Sequence, residues 1–159
     1  MLQFSVVDGT RTWFGSNGVL QYWNPAPHIF LSRFQGKLFD VPFAQQLVAA
    51  CEQHVDRVER PDFLHDWELM ESYETQSRTL MTNQAMRISP RVNSFTVYSK
   101  SVMVQLGVSM ASMLMDGRVK MVTTRFAFDA AMQVARDRTD VTGQKGMPGL
   151  RAAAGLAGR

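Results

Sequence analysis

Hydrophobic and polar positions along this chain alternate with a period of two in short runs, and between those runs the spacing changes to three and four residues. Leu2, Phe4 and Val6 alternate ahead of Asp8-Gly9, and Gly15-Ser16-Asn17-Gly18 marks a second turn. The first 18 residues therefore read as a hairpin or an irregular extension. Val19 to Trp23 and His28 to Phe34 are rich in aromatic and branched side chains and read as two strands. Asn24-Pro25-Ala26-Pro27 separates them, because proline cannot donate to a ladder.

Gly36 opens a connection to Asp40, an N-cap candidate, with Pro42 in the first helical turn, where its missing N–H costs nothing. Ala44, Leu47, Val48, Cys51, Val55 and Val58 then form one apolar stripe, predicting a helix that ends before Pro61. A strand is predicted from about Phe63 to Trp67, a helix from Ser72 to Ile88, and another strand from Ser94 to Ser99. Ser101 can cap a third helix to about Met115; Val119 to Thr124 is a strand, and Phe126 to about Ala135 a fourth helix. Regular alternation in the second half implies parallel strands with helical crossovers, hence a mixed α/β sheet of about four to six strands flanked by about four helices. The expected organisation is an extension over 1–18, a domain over 19–136 and a flexible basic tail over 137–159, where glycines and small residues leave little to bury.

With 159 residues, 45% hydrophobic and 19% charged, one globular core is affordable. Cys51 is the only cysteine, which excludes a disulfide framework. No apolar run reaches membrane-spanning length and the N-terminus has no signal-like core, so a cytoplasmic protein is expected. The formal charge of +3 resides in the last segment, where Arg136, Arg138, Lys145, Arg151 and Arg159 outnumber Asp137 and Asp140 by three. The rest is balanced and offers no cation cluster to track phosphates, so no nucleic-acid partner is expected.

The segment from Leu64 to Ile88 concentrates the candidate chemistry. If the strand ends at Trp67, then Ser72, Glu74, Thr75 and Ser77 gather at the first turns of the next helix, where unpaired N–H groups and the dipole favour anions. A phosphate on Thr75 or Ser72 would add roughly 1.5 to 2 negative charges there. Ser72 also suits the plain role of N-cap. Asp62, His65, Asp66, Glu68, Glu71 and Glu74 are the densest run of acid, base or metal-ligand types, and could hold a divalent ion or divide acid and base roles. Strand alternation, however, sends His65 and Asp66 to opposite faces. Cys51 and His54 lie three apart on one helix without a third ligand at matching spacing and read as core and boundary residues. Trp23 and Trp67 read as buried aromatics.

Met103, Leu106, Met110, Met113 and Leu114 form a stripe on the third helix, and Val102, Val104 and Val108 leave little of its other side polar. One side should pack on the sheet; the surplus side could meet another subunit or an apolar ligand. Gly107 and Ala111, four apart, permit a close approach.

Over about Leu20 to Ala135 the chain resembles the STAS domain family, in particular its SpoIIAA-like branch. The resemblance is carried by the order of elements, by the segment from His65 to Ser77, and by the strand and helix start from Val97 to Ser109. It implies a protein that antagonises an anti-sigma factor, switched when a kinase phosphorylates a serine in an Asp-Ser-Ser-Gly turn. Position by position the acid falls on Glu74, the serines on Thr75 and Gln76, and the glycine on Ser77, so the acid and one hydroxyl are kept while the second serine and the glycine are not.

The expected function is a non-enzymatic regulatory protein-binding module with a kinase-like anti-sigma factor or similar partner. Thr75 or Ser72 would be the phosphoacceptor and Glu71, Tyr73, Glu74, Ser77 and Arg78 the contact residues. No catalytic residue, cofactor or metal is assigned. A homo-oligomer through Met103, Met110 and Met113 is a further expectation. The alternatives are a small apolar-ligand or lipid carrier using the third helix, and a metal-dependent enzyme using the 62–74 carboxylates.

Overall fold

A computed structural model describes residues 1–144. Its seven strands form one sheet in chain order: β1 (Gln3–Val7), β2 (Thr10–Gly15), β3 (Gly18–Ala26), β4 (Ile29–Gly36), β5 (Asp62–Met70), β6 (Ser94–Tyr98) and β7 (Val119–Val122). β1 to β4 are an antiparallel meander, and β4 to β7 run parallel. The parallel strands are joined through α1 (Val41–Arg57), α2 (Thr75–Ile88) and α3 (Val102–Leu114), and α4 (Arg125–Gln144) follows β7. The mixed α/β architecture with four helices is the one read from the sequence. The sheet exceeds the expected four to six strands because the first 18 residues supply two of them. Asp8 and Gly9 both adopt positive φ, the conformation of a two-residue hairpin turn, and lock β1 onto β2.

The two faces of the sheet are covered differently. On one face Phe43, Leu47 and Val55 of α1, Ile88 of α2 and Val104 and Val108 of α3 share a core with Phe30, Phe63 and Phe95. On the other, Phe128 and Ala135 of α4 pack on Leu31, Leu64, Tyr98 and Val122. Strand alternation divides β5 between these cores, Phe63 and Trp67 toward the three crossover helices and Leu64 toward α4.

Local signals explain the helix starts. The Asp40 side chain accepts from Phe43 N, with Pro42 in the first turn, and the Ser101 hydroxyl accepts from Val104 N. Several boundaries differ from those predicted: β3, expected to end at Trp23, runs on to Ala26, which pairs with Ile29 after a register irregularity. β5 continues to Met70 rather than ending at Trp67, because after an irregularity in the register Leu69 and Met70 pair with Gln35 and Gly36 of β4. α4 continues to Gln144, taking in the first residues of the expected tail, and residues 145–159 lie outside the described part. Among the described residues no helix is long and apolar enough to cross a membrane.

Candidate functional site

The start of α2 is built by the connection that precedes it. Phe39 and Tyr73 form an isolated parallel bridge, with Phe39 N donating to Ser72 O and Glu74 N to Phe39 O. This holds residues 71–74 extended beside the β4–α1 connection, and helix can begin only at Thr75. Ser72 is therefore not the N-cap that the sequence suggested; its hydroxyl donates to Lys37 O. Glu74 takes the cap position without a side-chain cap bond. Its carboxylate instead accepts from Val41 N at 3.1 Å, placing negative charge at the start of α1, where the helix dipole favours it.

Thr75, the first residue of α2, is exposed, as are Gln76 and Glu71. Ser77 is a correction to the expected contact set. It is fully buried on the inward side of α2 and cannot meet a partner. Tyr73 and Arg78 are partly exposed; the Arg78 guanidinium lies 6.0 Å from the Tyr73 ring centre, and Tyr73 Oη donates to Met103 O of α3. A Cβ on Gly107 would stand 2.4 Å from Tyr73 Oη, so only glycine lets the ring lie this close to α3. Tyr73 thereby ties the start of α2 to the first turns of α3.

The outer side of α3 is apolar. α3 turns Val104, Gly107 and Val108 toward the sheet, and leaves Val102, Met103, Leu106, Met110, Met113 and Leu114 each more than half exposed. The Met stripe found in the sequence is thus the surplus side, not the core side. A groove of about 180 Å³ runs between it and α2, walled by Arg78, Met86, Met110 and Leu114 among others.

The carboxylates of 62–74 do not converge. Asp62, at the start of β5, accepts from Asn93 Nδ2, Ser94 Oγ and Arg138 Nη2, at 2.8, 2.5 and 2.5 Å. Asp66, four residues on, is buried and accepts from Arg33 and from both Arg125 amino groups, at 3.0 to 3.1 Å. Glu68 is paired with Lys100 and Arg125. The Lys100 ammonium, and then the Arg125 guanidinium, pull the Glu68 carboxyl down to about 2. Such cation-saturated carboxylates have no lone pairs directed at a common metal position, and no group of three metal-ligand side chains occurs among the described residues. The expected alternative of a 62–74 metal site finds no geometry to support it.

Three further titratable side chains, Cys51, His54 and His65, are interior. Burial pushes the Cys51 thiol up, as befits an inert core residue. His54 is buried against Phe30 and Phe63, and burial, then His28 and Arg57, lowers its pKa. His65 is enclosed between Phe63 and Trp67, 2.6 Å from Ser32 Oγ, and burial lowers its pKa to about 4. It stays neutral near pH 7.

A cavity of about 80 Å³ lies between α2, α3 and the sheet, lined by His65, Trp67, Met81, Gln84, Val97 and Val108 among others. Trp67 Nε1 and Gln84 Nε2 are buried without a hydrogen-bond partner among the described residues. From the sequence Trp67 reads as core, and Gln84 carries no assignment. The spacing Ser77, Met81, Gln84, Ile88 was the available signal, since it puts a polar side chain in the middle of an inward stripe.

No protein-family model matches this chain, and no curated protein matches it. Among solved structures it is similar to an uncharacterized protein of the DUF3478 family with a SpoIIAA-like fold from Shewanella loihica PV-4. The similarity covers 89% of this chain and 91% of that one, at 8% sequence identity and a TM-score of 0.48.

Proposed function

We propose that the chain is a non-enzymatic regulatory module that binds a protein partner through the start of α2 and the outer side of α3. The observation that carries this reading is the row of six apolar side chains, Val102, Met103, Leu106, Met110, Met113 and Leu114, left at least 55% exposed on one helix. A contiguous exposed apolar surface of this kind marks an association site more often than an ordinary exterior, where such residues are scattered singly. Tyr73 and Arg78 border it, and both are residue types favoured at interfaces.

Thr75 supplies the regulatory half of the proposal. Its hydroxyl side chain is exposed at the first position of α2, beside backbone N–H groups that the cap leaves unpaired. Phosphorylation there would be locally favourable to the helix. It would also place about two negative charges next to Glu71 and Glu74 and close to the apolar row, which disfavours a partner bearing acids or a dry contact. A kinase-like partner that both binds and modifies this corner fits the resemblance read from the sequence. Self-association through Met103, Met110 and Met113 is the competing occupant of the same surface.

The test is a comparison of Leu106→Asp and Met110→Glu with the wild type, using light scattering for self-association and affinity capture from source-cell extract for partners. The account expects both substitutions to abolish the captured species while Phe126→Ser, on the opposite side of the sheet, leaves it unchanged. Loss of a wild-type dimer in place of a captured protein would reassign the surface to self-association. Indifference of every species to the α3 substitutions would remove the proposal.

A further inference from the structure

The cavity beneath α2 and α3 has a lining that is almost wholly apolar, yet two of its wall residues carry donors with nothing to donate to among the described residues. Trp67 is 8% exposed and Gln84 3%, so neither Trp67 Nε1 nor Gln84 Nε2 has recourse to bulk water. Buried polar groups in folded proteins are otherwise nearly always paired, and each exception needs a reason. Aliphatic and aromatic neighbours such as Val97, Val104, Val108 and Phe95 cannot supply one, and the wall residue His65 already has a partner in Ser32 for its Nδ1. The Trp67 indole N–H can only donate and the Gln84 amide can do so, so the group that satisfies both is an acceptor.

Arg78, Thr82, Gly107 and Ala111 line both this cavity and the groove of about 180 Å³ between α2 and α3. Arg78, 6.0 Å from the Tyr73 ring centre, is the one Lys or Arg lining the cavity among the described residues, and His65 is neutral. A carboxylate would have no counter-charge in the interior; a carbonyl would need none.

We propose that this cavity binds a small, uncharged, largely apolar molecule carrying a carbonyl-type acceptor, which receives hydrogen bonds from Trp67 Nε1 and Gln84 Nε2. The groove carries any apolar extension of that molecule to the surface. The two donors lie in the cavity and not on the apolar row, so occupancy there is read without reference to the protein-binding reading, although the groove shares Met110 and Leu114 with that row.

Acetophenone and ethylbenzene have nearly the same shape and differ in the acceptor, and they make the test direct. In the ¹⁵N-labelled full chain the Trp67 indole N–H, assigned by its loss in Trp67→Phe, reports on occupancy. Saturable displacement of that resonance by acetophenone is expected, with an affinity at least about tenfold above that for ethylbenzene, the value of one net hydrogen bond. Gln84→Leu is expected to cut that preference at least threefold, its dispersed spectrum showing that the fold is kept. Ala111→Phe, at a position that lines both cavity and groove and carries neither donor, is expected to abolish binding of both compounds. Equal affinities, an unmoved indole resonance with both compounds, or an indole N–H that cross-relaxes with water in a filled, hydrated cavity would each overturn the proposal.

Discussion

At the scale of single residues, two titrating groups set opposite ends of the acid stability profile. His65 is buried and its pKa is lowered to about 4, so between pH 6.5 and 4 the unfolded chain takes up a proton that the native state refuses. Stability therefore falls as pH drops through that window, by roughly 3 kcal/mol if His65 acted alone, and is flat with respect to this group above it. His65→Gln, which retains a partner for Ser32, is expected to flatten the slope of urea-derived stability between pH 6.5 and 4. Glu68 behaves in the opposite chemical sense. Its carboxyl is depressed by Lys100 and Arg125, so its contribution is complete above the ordinary carboxylate range and is lost as pH falls toward 2. Lys100→Gln is expected to move that loss to higher pH, which acid titration of the circular dichroism signal would show. At Gln84, replacing the amide by leucine removes an unpaired buried donor. The ligand-free protein is expected to gain about 1 kcal/mol, read as a raised urea midpoint at unchanged slope.

Elements show where the sequence was sufficient. Asp40 with Pro42, and Ser101, are short-range signals that act within one turn, and both helices begin where those residues put them. The start of α2 was not legible in the same way. Ser72 looks like a cap in isolation, but a long-range bridge from Phe39 to Tyr73 holds it extended, and no local pattern announces a contact more than thirty residues distant. The end of β5 failed for a related reason. Glu68 is a poor strand former by itself and is tolerated there because Lys100 and Arg125, both remote in sequence, neutralise it. Thr75 and Gln76 are exposed at the start of α2, whereas Ser77, expected among the contact residues, faces the interior. Arg125 ties α4 to β5, holding Asp66 together with Arg33 and lying 4.7 Å from the Tyr98 ring centre. Arg125→Ala leaves the buried Asp66 carboxylate with Arg33 and the Glu68 N–H alone and is expected to destabilise the fold by roughly 3 kcal/mol in chemical denaturation. On α3 the opposite holds: Leu106→Asp lies on an uncovered face and is expected to change stability by no more than about 0.5 kcal/mol.

The whole molecule is asymmetric about its sheet. Three crossover helices share one face and a single helix, α4, the other, while the amino-terminal hairpin widens the sheet and packs Leu2 and Trp13 against the crossover-helix core. The Thr75 corner is open to solvent, and the apolar row of α3 has no intramolecular partner among the described residues. Periodicity in the sequence identified the apolar row, but it could not say which side of α3 would face outward. That choice is made by small residues: Gly107 and Val104 approach the interior, Tyr73 is seated on the former, and the bulky methionines are left outside. A regulatory binding role for the molecule rests on that orientation. The most direct measurement is affinity capture from source-cell extract with wild type, Leu106→Asp, Thr75→Glu and Phe126→Ser side by side. The account expects one specific protein to be retained by wild type and Phe126→Ser and lost with both Leu106→Asp and Thr75→Glu. Retention of that protein by Leu106→Asp at the wild-type level would contradict it.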